Sequence, residues 1–155
     1  MAHVKKNGVV GWREWAQLPD LGVGAIKVKV DTGARTSAIH AYDVHHFERD
    51  GTEWVRFKLH PEQKRRRPEV SCEAPLAGIK RVTSSNGQTQ RRFFIKTRIK
   101  MGKKTFPIQL TLTNRDDMGF RMLLGRTALR RRFLVDCSKS FIQGKERPDT
   151  AGETS

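Results

Sequence analysis

The sequence has little cysteine, comparatively few acidic residues and no long apolar run. Its 155 residues include two cysteines, Cys72 and Cys137, which lie far apart and without CxxC spacing. This pattern excludes a disulfide framework and a four-cysteine zinc site, and it predicts that both cysteines are small buried hydrophobic residues. No apolar run approaches the roughly 20 residues that span a bilayer, and the N-terminus has no apolar signal core. We therefore expect a cytoplasmic protein that makes no membrane contact.

The shortage of acidic residues leaves the chain strongly basic. It has 31 Lys and Arg against 16 Asp and Glu, a formal net charge of +15. Between residues 74 and 114 there is no Asp or Glu at all, although nine Lys and Arg occur there. Such a balance is typical of proteins with a polyanionic partner. One interpretation is a basic β module that binds RNA or the ribosome through Arg35 and the arginine runs at 65–67 and 130–132. No RNP-type aromatic signature accompanies them, so nucleic acid is the secondary interpretation.

Apolar and polar residues alternate in short runs separated by turn signals, which predicts an all-β fold. A first strand is expected over 9–15, and Ile26, Val28 and Val30 share one face of a second strand that ends at Asp31. Glycines in the turns at 84–87 and 101–104 predict two successive hairpins. From Met122 the pattern predicts a buried strand that turns at Gly125 into a short helix. We expect an N-terminal extension over 1–8, one domain over 9–142 and a disordered tail over 143–155.

The triplet Asp31-Thr32-Gly33 is the sharpest chemical feature. A carboxylate at the end of an apolar strand, followed by a hydroxyl and a glycine, is the arrangement of an aspartic-protease loop, in which glycine lets backbone approach the carboxylate closely. The triplet alone is also compatible with an ordinary turn in which Asp31 caps its own backbone.

A second element lies far along the chain. Leu123 and Leu124 precede Gly125, and this apolar strand could run beneath the Asp31 loop and brace it. The alternative is a plain core strand followed by a helix.

Three segments together carry a family resemblance: 11–15 (Gly-Trp-Arg-Glu-Trp), 29–38 (Lys-Val-Asp-Thr-Gly-Ala-Arg-Thr-Ser-Ala) and 123–126 (Leu-Leu-Gly-Arg). They resemble the retropepsin-like aspartic peptidases, and more narrowly the bacterial family often labelled ATP-dependent zinc proteases. The resemblance covers roughly 9–142. It implies a closed acid-protease β-barrel with one short C-terminal helix, and an aspartic endopeptidase whose active site is formed by a homodimer.

The resemblance also implies roles for individual residues. Asp31 matches the catalytic aspartate, and the residues matching the loop and its support are Thr32, Gly33, Ala34, Leu124, Gly125 and Arg126. One departure concerns Arg35, since the viral enzymes usually carry an acidic residue there that pairs with the arginine corresponding to Arg126. Arg126 must therefore find another partner, and the dimer contacts of the viral enzymes do not transfer directly.

The chain has one Asp-Thr-Gly motif, whereas the chemistry requires two carboxylates that share a proton. Asp116, Asp117 and Asp136 lack a following Thr/Ser-Gly. We therefore expect Asp31 from each of two protomers to meet at a two-fold axis.

The hairpin tip at Ser84, Ser85, Asn86 and Gly87 resembles the flap over a retropepsin cleft, although an ordinary surface hairpin fits equally well. If it is a flap, the cleft rim is positive and favours acidic or glutamate-rich protein segments. The residues proposed to select substrate charge are Arg35, Lys80, Arg81, Arg91 and Arg92. Members of the family resembled here are often associated with ATP-grasp ligases that add glutamate, so such a ligase is a possible functional partner. A protease-like fold that has lost catalysis and acts as a scaffold is a further alternative.

Neither zinc nor ATP is supported by the residues, although the family label mentions both. His40, His45 and His46 lie close together in sequence, but there is no HExxH motif, and adjacent residues of a strand point to opposite faces. The chain also lacks a GxxxxGK[ST] loop. We expect no cofactor and no metal site.

Overall fold

A computed structural model describes residues 8–62, 68–83, 86–115, 119–144 and 146–148. These ranges contain twelve strands, a 3₁₀ turn at Pro19–Leu21 and one four-residue α-helix, which confirms the predicted all-β fold with a short C-terminal helix. No helix in them is long and apolar enough to cross a membrane. The elements are β1 (Val9–Val10), β2 (Arg13–Leu18), β3 (Val23–Asp31), β4 (Ser37–His40), β5 (Tyr42–Arg49), β6 (Thr52–Leu59), β7 (Val70–Pro75), β8 (Gly78–Thr83), β9 (Thr89–Met101), β10 (Lys104–Thr113), β11 (Met122–Gly125), α1 (Arg126–Leu129) and β12 (Leu134–Val135).

Six strands close into a barrel, as predicted. The order round the barrel is β10-β4-β11-β3-β2-β9, and β9 pairs again with β10 to complete the ring. Closure leaves these six strands without a free edge. The first half of β9 extends beyond the ring and pairs with β8 as a hairpin. One long strand therefore connects the hairpin to the barrel.

The core follows from the period-two pattern. On β3, Ile26, Val28 and Val30 are buried while Lys29 between them is exposed. The barrel half of β9 repeats the arrangement: the inward residues are apolar except for Thr97, and the outward residues are cations. Strand residues of one parity line the core because successive side chains point to opposite faces.

The two predicted hairpins are confirmed. Gly87, between β8 and β9, has φ +85°, and Gly102, between β9 and β10, has φ +59°; both are left-handed conformations that favour glycine. Asn86 Oδ1 accepts a hydrogen bond of 3.1 Å from the Gln88 N–H. The other two predicted flap residues, Ser84 and Ser85, lie outside the described residues.

A three-stranded sheet, β5-β6-β7, packs one face on the barrel. Cys72 on β7 is buried in that face, its Sγ donating to the Leu21 carbonyl at 3.4 Å, and burial raises the pKa of its thiol to about 12. Cys137 is exposed, so the prediction that both cysteines are buried is wrong for one of them. Cys137 lies in a turn after β12, where no sheet covers it.

The expected first strand is broken in two at Gly11. A Cβ on Gly11 would collide with the backbone of Lys139, and the Trp12 N–H donates to the Lys139 carbonyl at 2.9 Å. The C-terminal segment thus crosses the chain at this point. The C-terminal segment supplies the hydrogen-bond acceptor for the Trp12 N–H. On either side of this contact, β1 pairs with β12 and β2 joins the barrel as a separate strand.

A buried carboxylate fixes the same C-terminal segment. Glu14, which is completely buried, accepts backbone hydrogen bonds from Gly11 at 2.7 Å, Ile142 at 2.9 Å and Gln143 at 3.0 Å. Burying a carboxylate costs free energy unless it is hydrogen-bonded, and these three N–H donors offset that cost. The contacts with Ile142 and Gln143 lie where the sequence places the boundary between the domain and the tail.

Candidate active site

Asp31 is the last residue of β3 and is half-buried at the start of a tight loop. Its Oδ1 accepts a hydrogen bond of 3.1 Å from the Gly33 N–H, and its carbonyl accepts one of 3.2 Å from the Ala34 N–H. These contacts fix the loop but belong equally to a catalytic loop and to a simple capped turn.

Strand β11 runs directly behind the Asp31 loop. It pairs in parallel with β3, with Gly125 opposite Asp31, and antiparallel with β4, with Met122 opposite Ile39. Because β3 leads into the loop and β4 leads out of it, β11 lies between the two stems of the loop. A strand therefore runs behind the loop at the position where the sequence predicts a bracing strand.

Gly125 allows the brace to come close. A Cβ at this position would lie 2.6 Å from the carbonyl carbon and 2.9 Å from the nitrogen of Thr36. Real Cβ atoms do not approach backbone this closely, so a larger residue would push β11 away from the loop.

The start of α1 continues the brace. The Arg126 N–H donates to the Ala34 carbonyl at 2.9 Å, while Thr127 donates to the Arg35 carbonyl from both its N–H, at 3.1 Å, and its hydroxyl, at 2.8 Å. The backbone after Asp31 is thus held at two successive carbonyls.

The structure also supplies the partner of Arg126. Its Nη1 donates to the carbonyl oxygen of Gly33 at 3.2 Å and of Thr32 at 3.4 Å. An arginine that pairs with an acid in the viral enzymes here binds loop backbone instead. This arrangement requires no acidic residue at position 35, so Arg35 is compatible with a supported loop.

Sequence reasoning missed the role of Ser37. Ser37 is completely buried; its Oγ accepts from the Gly125 N–H at 3.0 Å and its carbonyl accepts from the Thr111 hydroxyl at 3.1 Å. It therefore ties β4 to β11 and to β10 at the base of the loop. The signal was a serine at the start of the strand, directly before the apolar residues Ala38 and Ile39.

The four hairpin cations predicted to select substrate charge lie together. On the paired strands Lys80 stands opposite Arg92, and Arg81 stands opposite Arg91. Like charges in directly opposite positions destabilise a pair of strands, so these four cations lower the stability of the β8–β9 hairpin. Burial, and then the nearby Arg115, lower the pKa of Arg92. Arg35 belongs to the Asp31 loop and not to this group.

The three neighbouring histidines do not converge. His40 is buried, and its Nδ1 accepts from the Arg115 N–H at 3.0 Å. His45 and His46 are exposed on β5 and contact Asp43 and Glu53 respectively. Within the described ranges, no three His, Cys, Asp or Glu side chains are placed to hold a metal ion.

Relatives of this chain include longer proteins. The chain is 46% identical over 138 residues to a protein of Shewanella pealeana and 43% identical over 145 residues to one of Desulfotalea psychrophila, each named a probable alpha-L-glutamate ligase. These matches cover 89% and 94% of this chain but only 30% and 31% of the relatives. The chain therefore spans less than a third of their length.

A solved structure and a family profile cover nearly the whole domain. A crystal structure of a Legionella pneumophila protein of unknown function superposes with a TM-score of 0.73 at 28% identity, over 88% of this chain and 98% of that one. Residues 9–146 match the RimB-like profile, described as the retropepsin-like aspartic endopeptidase RimB. The closed barrel, the Asp31 loop and the strand behind it agree with that description, and the chain belongs to the RimB-like family of retropepsin-like proteins.

Proposed function

We propose that this protein is an aspartic-type endopeptidase whose active site is formed by Asp31 from each of two protomers. The observation that carries the proposal is the support of the Asp31 loop. Strand β11 lies behind it, Gly125 permits the close approach, and the Arg126 side chain binds the carbonyls of Thr32 and Gly33. A catalytic group needs such fixed positioning, since small displacements of reacting groups lower rates severely.

The chemistry requires the second protomer. Two carboxylates a few ångströms apart share one proton, because both cannot be ionised at once. The ionised Asp31 accepts a proton from a water molecule as the water oxygen attacks the peptide carbonyl carbon. The protonated Asp31 donates its proton to the carbonyl oxygen. When the tetrahedral intermediate collapses, the Asp31 that received a proton from water gives it to the nitrogen and the C–N bond breaks. A hydroxyl proton of the intermediate passes to the other Asp31, which leaves the carboxylic acid product and restores the shared proton.

We further propose that the substrate is an acidic, glutamate-rich segment of a protein. Lys80, Arg81, Arg91 and Arg92 lie on paired strands, and the sequence from 74 to 114 contains no Asp or Glu; Arg98, farther along β9, is instead paired with Asp20 at 2.6 Å. A positive rim formed by the first four attracts negative chains. The relatives named glutamate ligases support this substrate class, because they carry a homologous region within one longer chain. A functional association with an ATP-grasp glutamate ligase is part of the proposal.

The test compares hydrolysis of a peptide with an oligoglutamate tail and of a matched oligoglutamine peptide, at low and high salt. The wild type should cleave the acidic peptide faster, and salt should reduce the difference. Asp31→Asn should abolish cleavage without changing the fold. Equal rates on both peptides would contradict the substrate class, whereas undiminished cleavage by Asp31→Asn would contradict the catalytic role. If the wild type cleaves nothing, the RNA-binding and scaffold interpretations take precedence.

A further inference from the structure

A cavity of about 430 Å³ lies between α1 and the neighbouring parts of β9 and β10. Two cations, Lys96 and Arg132, line it together with three apolar residues, Pro107, Ile108 and Ala128. Its lining includes neither the catalytic candidate nor any of the hairpin cations described above. Small-molecule sites commonly have a volume of this order and combine an apolar wall with a few polar groups.

The side chain of Arg132 is held in place at this cavity. Its guanidinium carbon lies 4.7 Å from the centre of the Phe106 ring, and its Nη1 donates to the Ala128 carbonyl at 3.5 Å. The Lys104 Nζ in turn donates to the Arg132 carbonyl at 3.2 Å, which fixes the backbone. A guanidinium has five N–H donors, and one of them is engaged within the described residues. Donors therefore remain for a ligand.

The two cations of the cavity lack an acidic partner. Within the described part of the chain, Lys96 and Arg132 form no ion pair. All the lining residues come from the stretches 74–114 and 119–135, which contain no Asp or Glu. Lys96 stands directly opposite Gln109, which also lines the cavity. Two positive charges beside an apolar wall favour a ligand that carries negative charge on a hydrocarbon body.

One lining residue of the cavity also holds the Asp31 loop. Thr127 donates to the Arg35 carbonyl from its N–H, at 3.1 Å, and from its hydroxyl, at 2.8 Å. A ligand that packs on Thr127 and Ala128 therefore contacts the short helix from which the loop is held. Because a ligand stabilises the conformation to which it binds, occupation of the cavity should steady this attachment.

We propose that the cavity binds a small organic anion, whose charged group contacts Lys96 and Arg132 and whose hydrocarbon part packs on Pro107, Ile108 and Ala128. Occupation of the cavity stabilises the attachment of α1 to the Asp31 loop. Inorganic phosphate fits less well because it has no part that packs on the apolar wall. Binding requires neither a second protomer nor hydrolysis, so it is independent of the proposed peptidase activity.

An NMR titration of the wild-type protein tests the cavity with three matched probes. Hexanoate has both the charge and the hydrocarbon chain, hexanamide keeps the shape without the charge, and acetate keeps the charge without the chain. Hexanoate should shift the backbone amide signals of Gln109, Thr127 and Ala128, and it should slow hydrogen exchange of the Thr127 N–H. Hexanamide and acetate should each bind at least about tenfold more weakly, because each lacks one of the two interactions.

Single variants test the two cations. Lys96→Met and Arg132→Met should each weaken hexanoate binding by about fivefold or more, and methionine at 132 can still pack on Phe106. Lys96 is exposed on β9, so its replacement tests the site even if Arg132→Met fails to fold. The matched control is Lys100→Met, an exposed cation of the same strand outside this cavity, which should bind hexanoate like the wild type.

Several results would overturn the inference. They are hexanamide or inorganic phosphate binding as tightly as hexanoate, unchanged binding in Lys96→Met, and an equal loss of binding in Lys100→Met. Stronger shifts of the same signals with oligouridylate would assign the surface to nucleic acid instead. Binding of hexanoate without slower exchange at the Thr127 N–H would contradict the effect on the loop. None of these results bears on catalysis, which the Asp31→Asn variant tests separately.

Discussion

The Arg126 guanidinium donates a hydrogen bond of 3.2 Å to the carbonyl oxygen of Gly33. Position 35 is an arginine, so the acid–arginine pair of the viral enzymes cannot form across this loop. The loop instead receives its support from one side chain bound to its own backbone. This contact explains how the fold keeps an ordered Asp31 loop with a basic residue beside it.

The first prediction concerns this contact. Arg126→Met keeps the length of the side chain but removes its donors, so the Thr32 and Gly33 carbonyls lose their partner. We expect peptide hydrolysis to fall by roughly 10- to 100-fold, because the catalytic group is less well positioned, with little change in stability. Steady-state kinetics and thermal unfolding check both parts. Lys103→Met, an exposed turn substitution, is the control, and an equal loss of activity in that variant would contradict the prediction.

The second prediction concerns packing behind the loop. Gly125→Ala places a methyl group 2.6 Å from the Thr36 carbonyl carbon, so the strand must move. We expect the free energy of unfolding to fall by about 1–3 kcal/mol, the usual cost of overpacking. Urea unfolding measures it. Gly144→Ala is the control because nothing lies within 4 Å of its added methyl group, and a stable Gly125→Ala protein would refute the close approach.

The third prediction concerns Ser37. Ser37→Ala leaves the Gly125 N–H without its acceptor in a buried setting. An unpaired buried donor costs about 1–3 kcal/mol, so stability and activity should both decrease. The exposed Ser71→Ala on β7 should change neither. If the two variants prove indistinguishable in urea unfolding, Ser37 does not tie the strands together.

The fourth prediction concerns the two thiols. Burial raises the pKa of Cys72 from its usual 9.0 to about 12, whereas Cys137 is exposed. The folded state therefore favours the protonated Cys72 thiol, and this contribution to stability is complete below pH 9 and lost as the pH rises towards 12. At about pH 8 iodoacetamide should modify Cys137 alone, with Cys72 reacting only after unfolding. Peptide mass spectrometry distinguishes the two, and rapid labelling of native Cys72 would contradict its burial.

Much of the barrel was predictable because its strands carry regular signals. Val28 and Val30 alternate with lysines on β3, glycines mark both hairpin turns, and Gly125 marks the change from strand to helix. Each of these features is local, so a single segment of sequence contains it.

The features that could not be predicted depend on distant backbone. The Arg126 side chain binds backbone carbonyl groups. Because every residue has a carbonyl group, the sequence does not show which ones Arg126 binds. A glutamate such as Glu14 is expected at the surface. In the structure it is buried, and its carboxylate accepts hydrogen bonds from three N–H groups, two of which belong to residues about 130 positions away. Most of the β5-β6-β7 sheet also escaped prediction because one of its faces is charged.

The central claim is that one active site takes Asp31 from two protomers, and mixed dimers test it most directly. Wild-type and Asp31→Asn proteins are mixed at constant total concentration, allowed to exchange subunits, and assayed on the oligoglutamate substrate. If both carboxylates are required, only dimers of two wild-type protomers are active, so an equal mixture retains about a quarter of the wild-type activity. Activity of about half, falling in proportion to the wild-type fraction, would mean that each chain carries its own site and would contradict the claim.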